Sequence, residues 1–513
     1  MDGPQTDSNG TGNGRVIDLS HHLSGEARNR VANPLKDILR VISECPVTDL
    51  ISMANGDPHH SLYPFRQITY EVPSVQDAPD PVISWRNNSG LAQIIRSYKD
   101  QECALSIRDA FPYSRAAGLK QCIDVITDFT NLIFAPPNHH VTLTLGNSDG
   151  ITKVFRLFGE NGDHFLTDEF SFPSMTNSPL AYGVKWVGVK MDSGGIIPEE
   201  LEKVLVKWDE VKWGRRPHVL YIIPVGQNPT GSTLSVDRRK KIYAIAQTWD
   251  LIIIEDDPYY FLQYDIPPNQ THCPPASPDE FIKDFRSTLI PTFLSMDVDG
   301  RVLRIDTFSK VLAPGMRLGW ITSNKLFHLK LADYIDSSTQ PPHAFGQMFV
   351  TEMLSEHGWK VEGFCRWLRS LCLDYQSRRD FLLDVFRREV ESTGYASVNC
   401  PEAGMFVWIE VFFEKHPRFV REQCFGGSPV VARTNTEYLL KELFERLMNT
   451  QGVVFIPSST FAIPENPLWV ESDGHVPLSD RTRFLRATFG GTEEIIEKGM
   501  IRLGKGLLEF FQD

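Results

Sequence analysis

The stretch Arg301-Val302-Leu303-Arg304-Ile305-Asp306-Thr307-Phe308-Ser309-Lys310 carries an apolar run straight into a lysine, and Arg317 follows seven residues later. Residues 301–305 have the texture of a buried strand. The runs 141–145, 164–167, 184–189, 219–224, 251–255 and 318–322 share it, being mostly rich in Val, Ile or Leu, and several end in Gly, Asp or Asn. Buried parallel strands read this way, because both of their faces are covered. Between two of these runs, residues 235–249 read as a helix with Ile242, Ile245 and Ala246 on one face. Strand–helix alternation predicts an α/β fold: a large domain whose mostly parallel sheet is sandwiched by helices. Such sheets bind ligands beyond the C-terminal ends of their strands. Lys310 stands at one of those ends.

Other strand ends carry polar residues in a fixed order. Asn228-Pro229-Thr230-Gly231 follows the run 219–224, and Glu255-Asp256-Asp257-Pro258-Tyr259 closes the run 251–255. Each element has a plain reading: the first as a turn, the second as a helix cap, Lys310 as a solvated lysine. Together they match the needs of one aldehyde cofactor. A lysine can hold the aldehyde as a Schiff base. An aspartate can keep a pyridine nitrogen protonated. An asparagine and a tyrosine can hydrogen-bond the ring oxygen. Lys310, Asp256 and Tyr259 are thus the candidate catalytic residues, and Asn228 a ring ligand. Asp256 is preferred to Asp257 because Tyr259, three residues on, returns to the same ring. Tyr260 reads as packing.

Gly146-Asn147-Ser148-Asp149-Gly150 follows the run 141–145 and opens a helix over 151–158. Backbone N–H groups at a helix start favour an anion. Gly146, Asn147, Ser148, Thr307, Ser309 and Arg317 would form a phosphate cup, with the guanidinium binding two oxygens at once. Phe172, after the run 164–167, can lie flat on a pyridine ring. Arg486, in Arg483-Phe484-Leu485-Arg486-Ala487, suits a substrate carboxylate. Arg481 and Arg483 compete for that role, and the apolar neighbours of Arg486 favour it. The cofactor expected from this set is pyridoxal 5′-phosphate.

These residues together resemble the class I/II, fold type I aminotransferases, in particular the kynurenine/α-aminoadipate and fungal aromatic-amino-acid aminotransferases. The likeness spans residues from about 34 to the end. It is most specific in 291–310, 255–262 and Gly404-Met405-Phe406-Val407-Trp408. It implies ping-pong transfer of an amino group from an aromatic or 2-aminoadipate-like L-amino acid to a 2-oxo acid, 2-oxoglutarate being the expected one. It also implies a homodimer in which Tyr113, in Phe111-Pro112-Tyr113-Ser114, reaches the partner's cofactor phosphate. Read without the resemblance, Tyr113 is an ordinary buried tyrosine. By the same likeness, Gly56 belongs to a substrate-carboxylate loop and Lys36 lies near the substrate side chain. Asn55 replaces a glycine usual in that loop, Phe172 stands where tyrosine is common, and Arg115 where proline often is; all three bear on substrate choice.

Length and charge bound the alternatives. With 513 residues the chain can hold a large α/β domain and a smaller partner. The expected division is a flexible tail over 1–30, a segment at 31–70 joining the small domain, a large cofactor domain at 71–344 with an insertion at 265–290, and a small α+β domain at 345–513. Helix is expected over 279–285 and 359–386, strands at 404–409, 453–456 and 483–488, and a loop insertion at 414–435. The net charge of −13 repels nucleic acid and anionic lipid. Eight cysteines without a CxxC pair fit a reduced compartment and give no zinc pattern. No run approaches the ~20 apolar residues of a membrane span, and residues 1–14 lack a signal peptide's apolar core. A cytoplasmic enzyme with no metal, membrane or nucleic-acid partner is expected. Two rivals use the same ring-holding residues: another reaction of the cofactor, such as β-elimination or decarboxylation within a specialised pathway, and a catalytically dead scaffold. A cofactor-sensing transcription regulator would need a basic module that residues 1–30 do not supply.

Overall fold

The apolar runs form a mixed seven-stranded sheet in the computed structural model, which describes residues 16–31, 33–34, 41, 45–47, 51, 53, 56–76, 80–264, 277–423, 432–464 and 477–513. Its strands are β1 (His140–Thr144), β2 (His164–Asp168), β3 (Lys185–Val189), β4 (Val219–Ile222), β5 (Ile252–Asp256), β6 (Val302–Thr307) and β7 (Gly319–Ser323), in the spatial order β1-β7-β6-β5-β4-β2-β3. Strands β6, β5, β4, β2 and β3 pair in parallel. Strand β7, expected to be parallel, runs antiparallel to both neighbours. The reason is the length of its connection. Only residues 308–318 separate it from β6, and they hold a 3-10 turn at Pro314–Met316 rather than a helix. A parallel return needs a crossover of a dozen residues or more.

Antiparallel pairing has a useful result. It sets Gly319 beside Thr307 on one side and Thr144 on the other, while Ile305 pairs with Asp256. The end of β1, the start of β7 and the C-terminal ends of β5 and β6 therefore share one sheet edge. Helix α1 (Asn147–Phe158) follows β1 and buries Ile151, Val154, Phe155 and Phe158 against the sheet. Helix α2 (Val236–Thr248), capped by the Ser235 hydroxyl, buries Ile242, Ile245 and Ala246 as its spacing predicts.

A second, four-stranded antiparallel sheet contains β8 (Ala396–Val398), β9 (Phe406–Val411), β10 (Ile456–Pro457) and β11 (Phe484–Thr488), in the order β8-β9-β11-β10. Ile254 and Tyr221 of the large sheet share one apolar cluster with Val407, Ile409 and Leu485 of the small one. The strand expected at 453–456 reduces to the two residues of β10. The expected loop insertion at 414–435 contains a paired ribbon, Arg421–Gln423 with Ala432–Thr434. The helix Ala344–Leu354, expected in the small domain, places Met348 and Met353 in one cluster with Leu143 and Trp320 of the large sheet. The expected helix at 279–285 lies within Pro278–Ser287, and that at 359–386 is found as Lys360–Glu389 with Trp359 as its N-cap.

The expected tail over 1–30 is corrected in its second part. Residues 16–30 carry a 3-10 turn, Ser20–His22, and a helix, Gly25–Asn29, capped by the Ser24 hydroxyl. Leu19, Leu23 and Ala27 enter the main core beside Val154 and Phe158. They come from two short turns joined through extended Leu23 and Ser24, so no continuous helical period marks them in the sequence. Leu19 is fully buried, so Leu19→Ala is expected to cost roughly 2–5 kcal/mol. Urea unfolding of the two proteins side by side checks this; equal midpoints would show the segment to be loosely held.

Candidate active site

Burial and hydrogen bonding separate the two adjacent aspartates. Asp257 pairs with Arg304 at 2.7 Å, and Arg304 also meets Asp306 at 2.7 Å and Glu255 at 3.3 Å, all inside the core. Asp256 turns to neutral donors instead: the Asn147 amide at 2.5 Å and the Tyr221 hydroxyl at 2.8 Å. Burial pushes its carboxyl up to about 6. A buried carboxylate held by neutral groups suits a cationic ligand facing it. Sequence reasoning missed Tyr221. The available signal was a tyrosine inside a fully buried strand, since its hydroxyl needs a partner there.

Lys310 is half-buried. Burial first, and Arg486 second, lower the pKa of its amine, with Asp256 opposing. Its Nζ lies 5.8 Å from the centre of the Tyr259 ring. Tyr259 is buried, and its hydroxyl is pushed up, first by that burial and then by Asp256. Asn228 faces the Tyr259 hydroxyl, and its Oδ1 accepts from Arg486 Nη1 at 2.7 Å. The Asn228–Pro229 peptide is cis. The loop carrying Asn228 is pressed against the small sheet where Gly226 meets Gly404. A Cβ on Gly226 would lie 2.4 Å from the Gly404 Cα, and both glycines hold positive φ. This contact sets Asn228 and Arg486 in register.

The three arginines now separate. Arg481 is paired with Glu169, and Arg483 meets Glu410 at 2.8 Å. Arg486 has no carboxylate pair among the described residues. It stacks on Phe406 and Phe461, with its guanidinium carbon 4.6 and 4.8 Å from the ring centres. An arginine desolvated between rings and hydrogen-bonded by an amide can take a carboxylate bidentately.

At the other end, α1 starts at Gly146 with no side-chain cap. Gly146 holds φ of +90°, and a Cβ there would lie 2.8 Å from Arg317 Nη2. Arg317 donates to the Leu145 carbonyl at 2.6 Å. Thr307 and Ser309 hydroxyls meet at 2.8 Å, and Thr307 reaches the Leu318 carbonyl. Uncapped N–H groups, two hydroxyls and a guanidinium form a cradle for an anion. Ser148 is exposed at the start of the same helix.

The remaining expected residues divide. Phe172 is half-buried and precedes the helix Pro173–Leu180, packed against the main core. Tyr113 is 78 % exposed rather than buried, and its backbone N–H donates to Asp57 at 2.9 Å. Gly56, next to Asp57, is exposed. Lys36 and Asn55 lie outside the described residues.

This fold and edge are those of an aminotransferase. The profile of aminotransferase class I and II matches residues 85–503, and the chain belongs to that family. It is 48 % identical over 512 residues to an L-tyrosine:2-oxoglutarate aminotransferase of Serpula lacrymans, covering 96 % of each chain. It is 36 % identical to an aromatic amino acid aminotransferase of Schizosaccharomyces pombe, over 78 % of this chain and 82 % of that one. A crystal structure of an aminotransferase of Candida albicans superposes with a TM-score of 0.80 at 30 % identity, covering 98 % of this chain and 100 % of that one. The enzyme is a pyridoxal-phosphate-dependent transferase. The donor set fits that cofactor: an anion cradle at α1, a buried carboxylate at Asp256 that lacks a cationic hydrogen-bond partner among the described residues, and an amine of lowered pKa. Among the described residues, no helix is long and apolar enough to cross a membrane.

Proposed function

We propose that the chain moves the amino group of an aromatic L-amino acid to 2-oxoglutarate, with Lys310 as the proton carrier. The observation that carries this is the setting of Lys310: a half-buried amine of lowered pKa beside Tyr259, under the influence of Asp256 and Arg486. Pyridoxal phosphate, when bound, supplies an electron sink for the substrate carbanion and a temporary seat for the amino group.

The chain's own residues do the rest. Gly146, Asn147, Ser148, Thr307, Ser309 and Arg317 hold the phosphate. Asp256, kept in place by Asn147 and Tyr221, stabilises positive charge at the ring nitrogen. Asn228 and Tyr259 set the ring oxygen, and Phe172 covers a ring face. Arg486 binds the substrate α-carboxylate, with Asn228 fixing its orientation. Lys310, whose amine burial and Arg486 bias toward the neutral form, takes the α-proton at Nζ. The ring pair Phe406 and Phe461 against Arg486 supports an aromatic side chain in the donor. So does the likeness, along nearly the whole chain, to a relative named as an L-tyrosine:2-oxoglutarate aminotransferase. Gly56 and Lys36 complete the substrate side.

The same reading makes the enzyme a cytoplasmic homodimer. An exposed Tyr113 on a backbone anchored by Asp57 is free to reach the partner's phosphate cradle. It also divides the chain into a cofactor domain over 71–344 and a smaller domain over 345–513, the latter lending its first helix to the large sheet.

The test is a panel of amino donors with 2-oxoglutarate. Tyrosine, phenylalanine and tryptophan are expected to give kcat/KM at least about tenfold above alanine and aspartate, the discrimination that one apolar pocket supplies. Arg486→Lys is expected to lower kcat/KM for all donors by about 10–100-fold, since a bidentate partner becomes a point charge. A flat donor profile would remove the aromatic assignment, and an unaffected Arg486→Lys would remove the carboxylate site.

A further inference from the structure

Far from the cofactor edge, a second polar cluster ties the N-terminal segment to the large sheet. His21 Nε2 lies 2.6 Å from Asp250 Oδ2, and His22 Nε2 lies 3.2 Å from the same oxygen. These three ligand atoms all fall within 4.8 Å of one another. Behind them the chain continues inward. His22 Nδ1 is 3.0 Å from His218 Nδ1, and His218 Nε2 is 3.7 Å from Asp163 Oδ2. His22 is 1 % exposed and His218 5 %.

Counting protons shows what is missing. The row Asp163, His218, His22, Asp250 has three gaps, each between two potential acceptors. Two neutral rings bring only two N–H protons. A third proton would charge a ring that is almost wholly removed from water, which is costly. One gap is therefore left without a proton: either a ring lone pair faces a carboxylate, or the two Nδ1 lone pairs face each other. Among the described residues, neither His22 Nε2 nor His218 Nε2 finds a hydrogen-bond partner of good geometry, though both are buried.

Asp250 adds an independent sign. It follows Trp249, the C-cap of α2, and holds φ of +52°. Glycine or asparagine is the usual residue there, and a negative charge at a helix C-terminus opposes the helix dipole. Arg301 offsets part of this, but its Nη1 meets Oδ1 at 3.4 Å and leaves Oδ2 to the histidines.

We propose that His21, His22 and Asp250 bind a divalent transition-metal cation of the zinc type. The cation takes the lone pair of His22 Nε2. That fixes His22 Nδ1–H as donor to His218 Nδ1, and His218 Nε2–H as donor to Asp163, so the whole row is satisfied. A ligating imidazole backed by an acceptor that leads to a carboxylate is how protein metal sites orient their histidines. Two imidazoles and one carboxylate suit zinc, with water in the fourth place, because the His21 and Asp250 side chains are about half exposed. The metal clasps residues 16–30 to the α2–β5 connection, at a distance in sequence no local contact could bridge.

The test uses the full-length enzyme with its cofactor, freed of metal with a chelator and titrated with zinc by calorimetry. One equivalent is expected to bind, and thermal stability to rise with it. His21→Ala and Asp250→Asn, neither in the catalytic machinery, are expected to keep transaminase activity and to lose zinc affinity by on the order of tenfold or more. Cobalt substituted for zinc is expected to give the visible absorption of a four-coordinate site in the wild type alone. Absence of a stoichiometric zinc site, or equal affinity in wild type and both variants, overturns the proposal.

Discussion

Lys310→Ala is expected to lower turnover by at least about 10⁴-fold, the upper range for a positioned acid–base group, and to remove the visible band of the enzyme-linked cofactor. Neither Arg486 nor Tyr259, its described neighbours, can substitute. Arg486, the cation that acts on Lys310, stays protonated at working pH. Tyr259 is buried beside Asp256 and has its hydroxyl pushed up, which disfavours it as a base. The cofactor is expected to remain bound through the anion cradle at Gly146, Thr307, Ser309 and Arg317, but to be removable by dialysis. A small primary amine added to the solution is expected to restore part of the rate, because the variant leaves a space where the Lys310 side chain was. Stopped-flow absorbance with tyrosine reads all three effects. Turnover within about tenfold of wild type, in a protein with an unchanged unfolding midpoint, would show that Lys310 is not the proton carrier.

The large sheet was readable because its strands are buried on both faces, so most appear as short runs rich in apolar residues. Residues Ile252, Ile253 and Ile254 are fully covered. The candidate residues Lys310, Asp256 and Asn228 could be proposed because they lie at or after the ends of such runs, at the edge where the strands end. The choice among Arg481, Arg483 and Arg486 shows how far that reach extends. Apolar neighbours favoured Arg486, and the physical cause is that carboxylates occupy the other two. What local pattern could not give are pairings between distant positions. Tyr221 meets Asp256 only because β4 and β5 are adjacent. The direction of β7 is set by a connection too short for a crossover. Residues 16–30 bury their apolar side chains from two short turns, with no continuous helical period to mark them. His21 and His22 gain meaning from Asp250 and His218, more than 190 residues away, with no motif spacing to mark them.

Asp256→Asn is expected to reduce kcat by ~10²–10³-fold, the range for loss of one preorganised electrostatic partner, with a much smaller change in KM. The variant keeps the shape of the side chain and can keep an acceptor oxygen for Tyr221 or Asn147, so its effect isolates the charge. The carboxylate is buried, so in the proposed site its field would act on the ring nitrogen with little screening by water. Asp257→Asn is the matching control one residue away. Asp257 has Arg304 as its partner at 2.7 Å, and leaving a buried guanidinium short of one anion is expected to destabilise the fold by roughly 3–5 kcal/mol. Its kcat per folded molecule is expected to stay within a few-fold of wild type, because its carboxylate is paired with Arg304 and not held by Asn147 and Tyr221 as Asp256 is. Measuring kcat and urea unfolding for both variants gives opposite patterns: rate without stability for Asp256, stability without rate for Asp257. The reverse pattern would move the ring-nitrogen partner to Asp257, which would require Arg304 to turn away from three carboxylates that now surround it.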